Sequence, residues 1–364
     1  MNLAAFMAIG LMGIAQFLPT SCMAADITAA QPQDLVTADD ERIQYTGRVD
    51  FTDPKRPKFW APGVYIKAKF KGTYCSVVVN DEILWGKSHN YLEIAVDDQA
   101  PFRVQTTGPA NTIKAAEGLP DGEHTVTICK DTEAGIGYLE LVGFRCAGLA
   151  PLPDQPSRRM EFIGDSITCG AGSDHSTTPC GKGEWYDQHN AYMSYGATAA
   201  RLLNAQWQLT SVSGIGMVHS CCDMKVAMPD VFNALDLQEH GRLWDFNRYQ
   251  PDVVTVCLGQ NDGAQDAVKF RDKYAGFIRI LRSYYPKAQI VCLTSPMADQ
   301  GLTAFLKENL SAIVKRANEN GDRNVHTFFF SHSYNGGCGG HPSTSDHAAI
   351  AEELTRYIKM LMTW

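Results

Sequence analysis

Hydrophobic residues repeat with two different periods along this chain, and the change near residue 150 requires two different folds. From residue 42 to residue 146, short runs alternate apolar with polar residues, and turn residues such as Lys71-Gly72 and Pro120-Asp121-Gly122 separate the runs. A period of two is typical of strands that bury one face. Residues 36–148 are therefore predicted to form an antiparallel all-β sandwich. Its clearest strands are expected at 64–70, 75–79, 91–96 and 124–128.

A second pattern begins after a proline-rich segment at 149–157, whose composition suits a semi-rigid linker. From residue 158 onward, strand-like apolar runs alternate with helical patterns, which indicates a parallel sheet covered by helices on both sides. Residues 158–364 are therefore predicted to form an α/β domain. The strand-like runs lie at 160–164, 206–213, 252–258, 289–294 and 325–330. The clearest helix has Phe270, Tyr274, Phe277, Ile278 and Leu281 on one face, and the last helix is expected from about 346 to 362.

The first residues have the pattern of an export signal. Residues 3–18 are nearly all apolar, and small residues follow through Ala24-Ala25. We therefore predict a signal peptide at 1–25 and a secreted, periplasmic or cell-surface protein, with a lipid anchor at Cys22 as an alternative. The later sequence contains no segment with the length and apolar character of a membrane span. The eleven cysteines also suit an oxidising compartment.

The net charge excludes one class of partner. The chain carries a formal charge of -8 at pH 7 and has no basic run that could neutralise phosphates, which argues against a nucleic-acid partner. A neutral or weakly charged substrate fits this composition better. The sequence leaves the oligomeric state open.

Cysteine pairing also stays open at the level of the sequence. Cys257 and Cys292 lie inside apolar strand-like runs and are predicted to be buried thiols. Cys169 and Cys180 are close enough in sequence to be a candidate pair. The run His219-Ser220-Cys221-Cys222-Asp223 matches no familiar zinc spacing. A disulfide that involves one of its two cysteines is the preferred interpretation.

Four stretches of the α/β domain carry side chains that could support nucleophilic catalysis. Gly164-Asp165-Ser166, Ser213-Gly214 and Gly259-Gln260-Asn261-Asp262 end the first three strand-like runs, and Gly340-His341-Pro342 follows the last one. In such folds, the carboxyl ends of the strands form the ligand site. A serine nucleophile needs a base within hydrogen-bond reach and donors for the developing oxyanion. Each stretch alone is typical of a turn, but the four together predict one catalytic site.

This set closely resembles the SGNH/GDSL hydrolases, whose name records their Ser, Gly, Asn and His; the matching residues here are Ser166, Gly214, Asn261 and His341. Three further stretches are similar to carbohydrate esterase family 2, in which a jelly-roll domain precedes the SGNH domain. They are Tyr45-Thr46-Gly47-Arg48-Val49-Asp50-Phe51, Thr132-Glu133-Ala134 and Phe162-Ile163-Gly164-Asp165-Ser166-Ile167-Thr168-Cys169-Gly170. The resemblance covers nearly all of the chain after the predicted signal. It implies a flavodoxin-like three-layer α/β/α hydrolase domain preceded by an all-β jelly roll.

The resemblance also implies an activity and a role for each residue. It implies a secreted carbohydrate O-acetyl esterase that acts on acetylated plant-wall polysaccharides or oligosaccharides, such as xylan or glucomannan, through an acetyl-enzyme. His341 is expected to take the Ser166 proton, and Ser166 N–H, Gly214 N–H and Asn261 to form the oxyanion hole. No metal or organic cofactor is expected. Two alternatives stay open: a lipid or aryl esterase on the same scaffold, and a glycan-binding protein whose hydrolase site has decayed.

The sequence departs from the family pattern on both sides of the expected base. Family members usually carry Asp-x-x-His, whereas Cys338-Gly339-Gly340 precede His341 here. Some family 2 esterases use a Ser-His dyad with a backbone carbonyl as the orienting group, and the resemblance implies the same here, with a carbonyl near Cys338 or Gly339 orienting the imidazole. Because Gly340 replaces an aromatic residue that is frequent there, sugar stacking is expected elsewhere. Candidates for stacking are Trp185, Tyr186 and Tyr192, and His347 is expected to be a solvated residue of the last helix.

Overall fold

The computed structural model describes residues 35–364, and Asp34–Trp364 form one compact unit. The predicted signal at 1–25 and Cys22 lie outside the described residues. Within the described range, every helix is too short or too polar to cross a lipid bilayer.

Two antiparallel sheets form the first half of the described chain and confirm the predicted all-β domain. The eleven strands are β1 (Leu35–Thr37), β2 (Gln44–Thr46), β3 (Lys58–Phe59), β4 (Tyr65–Lys71), β5 (Tyr74–Asp81), β6 (Tyr91–Val96), β7 (Phe102–Gln105), β8 (Ala110–Glu117), β9 (Glu123–Lys130), β10 (Leu139–Arg145) and β11 (Leu149–Ala150). One sheet has the order β1-β10-β5-β8, with β3 beside β10. The other has the order β11-β4-β9-β6-β7, with β2 beside β4. The last strand, β11, pairs with β4 and falls inside the segment predicted as a linker.

Alternating side chains of the two sheets form the core of this domain, as the period of two predicts. Strand β5 contributes Cys75, Val77 and Val79 to a buried cluster, and β4 contributes Ala68 and Phe70 from the opposite sheet. Their other neighbours along each strand face outward or the second domain. The packing of two sheets on one apolar layer is the arrangement of a β-sandwich.

The second half of the chain is an α/β domain built on a parallel sheet. Its elements are β12 (Arg158–Gly164), α1 (Ser166–Cys169), α2 (Tyr195–Leu202), β13 (Ala205–Ser211), α3 (Met228–Val231), β14 (Val253–Cys257), α4 (Ala267–Tyr284), β15 (Gln289–Leu293), α5 (Gln300–Glu319), β16 (Val325–Phe328) and α6 (Thr344–Met362). The strand order is β13-β12-β14-β15-β16, and all four pairings are parallel. This is the 2-1-3-4-5 order of flavodoxin-like folds, so the predicted fold class is confirmed.

Helices cover both faces of the parallel sheet. On one face, α4 and α5 pack on the sheet through a cluster that contains Phe270, Tyr274 and Leu310. On the other face, α2 and α6 pack through a cluster that contains Tyr195 and Ile350. The buried residues of α4 are the five that the helical period places on one face.

The prediction that His347 is solvated is wrong. Its side chain is fully buried where α6 packs on α2, and its Nδ1 accepts a hydrogen bond from Tyr195 N–H at 3.2 Å. Burial lowers the pKa of His347 to about 3. The residue lies in the first turn of α6, and the packing of α6 on α2 places that turn against Tyr195.

A buried arginine joins the two halves of the molecule. Arg48 of the all-β domain has no exposed surface, and its guanidinium donates to the carbonyl oxygens of Phe232 and Ala234, each at 2.6 Å. It also lies 3.4 Å from the carboxylate of Glu161 on β12. The aromatic rings of Tyr65 and Trp207 stack nearby at a centroid distance of 3.8 Å. The all-β domain is therefore packed directly on the sheet that carries the candidate site.

Candidate active site

Ser166 lies at the carboxyl end of β12, next to the point where the strand order reverses. Asp165 caps the short helix α1, and its side chain accepts a hydrogen bond from Ile167 N–H at 3.0 Å. Ser166 is the first residue of that helix and is 9% exposed. The first N–H groups of a helix have no partner within the helix, so the backbone N–H of Ser166 is free to bind a ligand beside its own hydroxyl.

His341 comes 175 residues later and contacts Ser166 directly. Its Nε2 lies 2.9 Å from Ser166 Oγ, and its Nδ1 lies 3.3 Å from the carbonyl oxygen of Cys338. A proton on Nδ1 would be donated to that carbonyl, which leaves Nε2 as an acceptor for the serine hydroxyl. Burial lowers the pKa of His341 below its usual value, against the opposing effect of the Cys338 carbonyl. The imidazole is therefore neutral at pH 7.

The loop that carries His341 is fixed by a disulfide and by the backbone. Cys338 is bonded to Cys180, which lies in the segment between α1 and α2. The N–H of Cys338 donates to Gly172 O, and the N–H of Gly337 donates to His341 O, both at 2.7 Å. The candidate pairing of Cys169 with Cys180 is therefore wrong. Cys169 is a buried free thiol, as are Cys257 and Cys292, for which the predicted burial is confirmed.

Gly214 follows β13 and lies in a loop fixed by a second disulfide. Its backbone has a φ of +80°, which favours glycine, and its carbonyl accepts a hydrogen bond from Cys221 N–H at 2.8 Å. Cys221 and Cys222 are bonded to each other. The sequence indicates a disulfide with one of these cysteines but not that the two neighbours pair.

Asn261 and Asp262 tie the loop after β14 to the loop after β13. The Asn261 amide donates to Ile215 O at 2.9 Å and, over a longer distance of 3.3 Å, to Asp165 Oδ2. The carboxylate of Asp262 accepts hydrogen bonds from the backbone N–H groups of Met217, Val218 and His219 at 2.7–3.0 Å. Burial raises the pKa of Asp165 to about 7. All four residues predicted for the site thus lie just beyond the carboxyl ends of the parallel strands.

Glu133 reaches this edge from the all-β domain, and the sequence alone indicates no role for it. Its Oε2 accepts a hydrogen bond from Ser213 N–H at 2.6 Å, and its Oε1 lies 3.7 Å from His189 Nε2. The only signal in the sequence is the Thr132-Glu133-Ala134 stretch, which contributes to the family resemblance without a function. His189 is also almost fully buried, and its two ring nitrogens have no hydrogen-bond partner among the described residues.

The three candidate stacking residues differ in exposure. Trp185 is 57% exposed, and its ring lies edge-on to His189 at a centroid distance of 5.0 Å. Tyr186 is buried against His89, and Tyr192 is half-buried beneath the guanidinium of Arg201. Only Trp185 of these three offers a free aromatic face near the catalytic loop, because the other two rings serve packing.

One cluster of potential metal ligands lies beside the site. The ligand atoms of His175, Cys180 and Cys338 are within 4.8 Å of one another. The two sulfur atoms are joined in the disulfide, so they do not offer the thiolates that zinc binds. These residues therefore fit a structural bridge and not a metal centre.

Two family models match the chain, one in each half. Residues 45–156 match the family described as carbohydrate esterase 2 N-terminal, and residues 162–347 match the GDSL-like lipase/acylhydrolase family. Among curated proteins, the chain is 34% identical over 351 residues to the cellulase/esterase CelE of Acetivibrio thermocellus, an alignment that covers 91% of this chain and 41% of that protein. The chain thus spans less than half the length of that relative. An acetylxylan esterase / glucomannan deacetylase of Cellvibrio japonicus is 28% identical over 340 residues, with 90% of this chain and 91% of that protein covered.

Solved structures of similar proteins have both domains. A family two carbohydrate esterase from Clostridium thermocellum, solved in complex with cellohexaose, is 33% identical and superposes with a TM-score of 0.79. The match covers 88% of this chain and 99% of that chain. A family two carbohydrate esterase from Cellvibrio japonicus is 27% identical, with a TM-score of 0.81 and coverage of 91% and 98%.

Proposed function

The chain belongs to carbohydrate esterase family 2, and from that premise we propose that it removes O-linked acetyl groups from plant-wall polysaccharides such as xylan and glucomannan. The observation that carries this proposal is the hydrogen bond between His341 Nε2 and Ser166 Oγ, with Nδ1 turned to the Cys338 carbonyl. The substrate class is supported by the name of the Cellvibrio japonicus relative, an acetylxylan esterase / glucomannan deacetylase. The cellohexaose in the Clostridium thermocellum structure supports a cleft for a linear glycan.

In the proposed mechanism, Ser166 and His341 act as a dyad. His341 Nε2 accepts the hydroxyl proton as Ser166 Oγ attacks the acetyl carbonyl carbon. The imidazolium then donates that proton to the sugar oxygen as its bond to the acetyl carbon breaks, which leaves an acetyl group on Ser166. Water, activated by the same imidazole, attacks the acetyl-serine and releases acetate. The Cys338 carbonyl holds the tautomer and stabilises the imidazolium, the role that a carboxylate has in a triad.

The proposed oxyanion hole uses one donor from each of three loops. These donors are Ser166 N–H, Gly214 N–H and the Asn261 amide, and they belong to the loops after β12, β13 and β14. The longer of the two Asn261 hydrogen bonds, to Asp165 at 3.3 Å, is the one we expect an oxyanion to replace. Because that bond is long, little is lost when it breaks, whereas an oxyanion at normal hydrogen-bond distance accepts a strong, charge-assisted bond; the exchange therefore favours the transition state.

The proposed base sets the pH range of the activity. Because burial lowers the pKa of His341, its basic form persists below pH 6.5. The value of kcat/KM is therefore expected to rise with pH through this lowered pKa and to be level at neutral pH. A protein whose site had decayed into a glycan-binding surface would have no reason to keep the Ser166–His341 contact, so the geometry favours catalysis over that alternative.

We also propose export, because the substrate is a wall polysaccharide and lies outside the cell. The two disulfides in the described part of the chain support an oxidising compartment. The exposed indole of Trp185 supports a sugar ligand, since aromatic faces bind sugar rings through apolar contact. A lipid or aryl esterase would instead need a broad apolar acyl pocket at this position.

Acetate release from acetylated xylan and acetylated glucomannan tests the proposed function. Wild type is compared with Ser166→Ala, which removes the nucleophile, and with Trp185→Ala, which removes the exposed ring. Ser166→Ala is expected to lose at least about 10³-fold in kcat, and Trp185→Ala to raise KM for the polysaccharide but not for a small acetyl ester. Folded wild type that hydrolyses p-nitrophenyl acetate but neither polysaccharide would refute the proposed substrate class.

A further inference from the structure

A carboxylate from the all-β domain is buried beside the candidate active site, at the carboxyl ends of the parallel strands. Glu133 lies in the segment between β9 and β10, and it is 2% exposed. Nothing in the proposed chemistry requires the all-β domain to contribute a charged group there. Burial of a carboxylate is costly unless hydrogen bonds and charges compensate for the lost water, so its contacts identify what it does.

The segment that carries Glu133 is held rigidly. The side-chain nitrogen of Lys130 is fully buried and donates to the carbonyl oxygens of Thr132 at 2.7 Å and Glu133 at 3.1 Å. The hydroxyl of Thr132 donates to the side chain of Asn90 in the same domain. The backbone of Glu133 is therefore fixed from within the all-β domain, and its side chain extends out of that domain into the site.

One oxygen of Glu133 anchors the residue before the proposed oxyanion donor. Oε2 accepts a hydrogen bond from Ser213 N–H at 2.6 Å and a second, weaker one from the thiol of Cys169 at 3.4 Å. Gly214 follows directly, and its carbonyl is held from the other side by Cys221 N–H at 2.8 Å. The peptide that presents Gly214 N–H thus lies between two fixed points, one of which belongs to the other domain.

The second oxygen of Glu133 faces His189. Oε1 lies 3.7 Å from Nε2 of His189, which is within ion-pair range when that imidazole is protonated. The negative charge of Glu133 raises the pKa of His341, and His189 lowers it, although burial has the largest effect on that group. The charge of Glu133 thus favours the protonated form of His341. The loop before His341 offers a carbonyl dipole but no carboxylate.

We propose that Glu133 is a positioning residue of the active site: through its hydrogen bond with Ser213 N–H, it fixes Gly214 N–H for the oxyanion. This inference rests on the proposed serine-esterase chemistry. It gives the all-β domain a part in the catalytic site: without that domain, the oxyanion loop loses an anchor.

Two variants separate the charge of Glu133 from its hydrogen bond with Ser213 N–H. Glu133→Gln keeps an oxygen that can accept from Ser213 N–H but removes the charge, so kcat at neutral pH is expected to fall by less than about tenfold. Because the lost charge had raised the pKa of His341, the acidic limb of the kcat/KM profile should move to lower pH. Glu133→Ala removes the anchor as well, and kcat is expected to fall by roughly 10²-fold, in the range for one lost oxyanion donor. The KM for p-nitrophenyl acetate is expected to stay within about twofold of wild type, because the substitutions remove no contact that binds the substrate and the transition state equally.

The control variant is Glu161→Gln, which alters another fully buried carboxylate at the contact between the domains. Glu161 interacts with Arg48 and Thr210 and makes no contact with the oxyanion loop. It is expected to lower the unfolding temperature without a change in kcat or in the pH dependence of kcat/KM. Two results would overturn the proposal: an unchanged kcat in Glu133→Ala, or a loss of kcat in Glu133→Ala that Glu161→Gln reproduces at equal loss of stability.

A serine-reactive fluorophosphonate distinguishes this inference from the proposed function. Its rate of reaction with Ser166 measures nucleophile activation without any acetyl substrate. If wild type is labelled but hydrolyses no acetyl ester, the proposed substrate is refuted, and a slower labelling rate in Glu133→Gln still supports the positioning role. If Glu133→Ala does not fold, the Gln variant alone decides the question. Equal labelling rates in wild type and Glu133→Gln, with equal pH limbs, would overturn the inference.

Discussion

Removal of the Cys180–Cys338 disulfide should affect both stability and catalysis, and the structure gives a magnitude for each. The bridge joins residues 158 positions apart. In the chain-entropy description, a closed loop of that length stabilises the folded state by about 5 kcal/mol. The Cys221–Cys222 bridge joins adjacent residues, and the same relation gives on the order of 1 kcal/mol or less. One protein thus contains a long and a short covalent loop that can be compared directly.

The expected loss of activity follows from the contact between the Cys338 carbonyl and His341. Its carbonyl is the partner of His341 Nδ1, but two backbone hydrogen bonds, to Gly172 O and from Gly337 to His341 O, remain without the bridge. Loss of the correct histidine tautomer lowers kcat by about 10⁴-fold in a triad enzyme. Because the backbone contacts persist, we expect the double variant Cys180→Ser/Cys338→Ser to lose only about tenfold in kcat.

Equilibrium unfolding in urea and hydrolysis of p-nitrophenyl acetate measure the two effects. The matched control is Cys221→Ser/Cys222→Ser, which removes a disulfide without opening a long loop. The expected order of unfolding free energy is wild type, then the control, then Cys180→Ser/Cys338→Ser by several kcal/mol. Equal destabilisation by the two double variants would refute the loop argument, and full kcat in Cys180→Ser/Cys338→Ser would show that the bridge does not support the orienting carbonyl.

Three further predictions concern single residues. Gly172→Ala is expected to lower kcat by at least about tenfold, because a Cβ there would lie 2.7 Å from Cys338 O at a φ of +66°; an unchanged kcat would contradict the role of that carbonyl. Arg48→Ala is expected to cost about 3–5 kcal/mol in urea unfolding, because it leaves the Glu161 carboxylate buried without its cationic partner and two carbonyl oxygens without their donor; a cost below about 1 kcal/mol would contradict this. Since the folded state binds no proton at His347 between pH 6.5 and about 3, stability should fall as pH drops through that window by about 1.4 kcal/mol per unit. His347→Gln should flatten this dependence, and an equally steep decline in the variant would refute it.

The sequence predicts the features that depend on local patterns. The helical period of α4 identifies its buried face, and the alternation of strands and helices identifies the parallel sheet. The carboxyl ends of successive strands converge at one edge, so the short motifs that end those strands predict a single shared site. Ser166 and His341 are the clearest example, since their contact spans 175 residues.

The features that the sequence does not predict depend on contacts between remote segments. The pairing of Cys180 with Cys338 and of Cys221 with Cys222 requires distances that spacing does not encode. His347 has the local pattern of an exposed first turn, and only the packing of α6 on α2 buries it. Glu133 lies in a different domain from the residues it positions, so no motif within the α/β domain could indicate its role.

Detection of an acetyl group on Ser166 tests the central claim most directly. Wild type is mixed with an excess of p-nitrophenyl acetate, quenched in acid within milliseconds to seconds, digested and analysed by mass spectrometry, with His341→Ala and Ser166→Ala treated in parallel. We predict acetylation of the peptide that contains Ser166 in wild type, at a level that rises to a steady state, and none at that position in Ser166→Ala. Turnover of the ester with no acetyl-Ser166 at any quench time, or with the acetyl group on another residue, would contradict the proposed dyad.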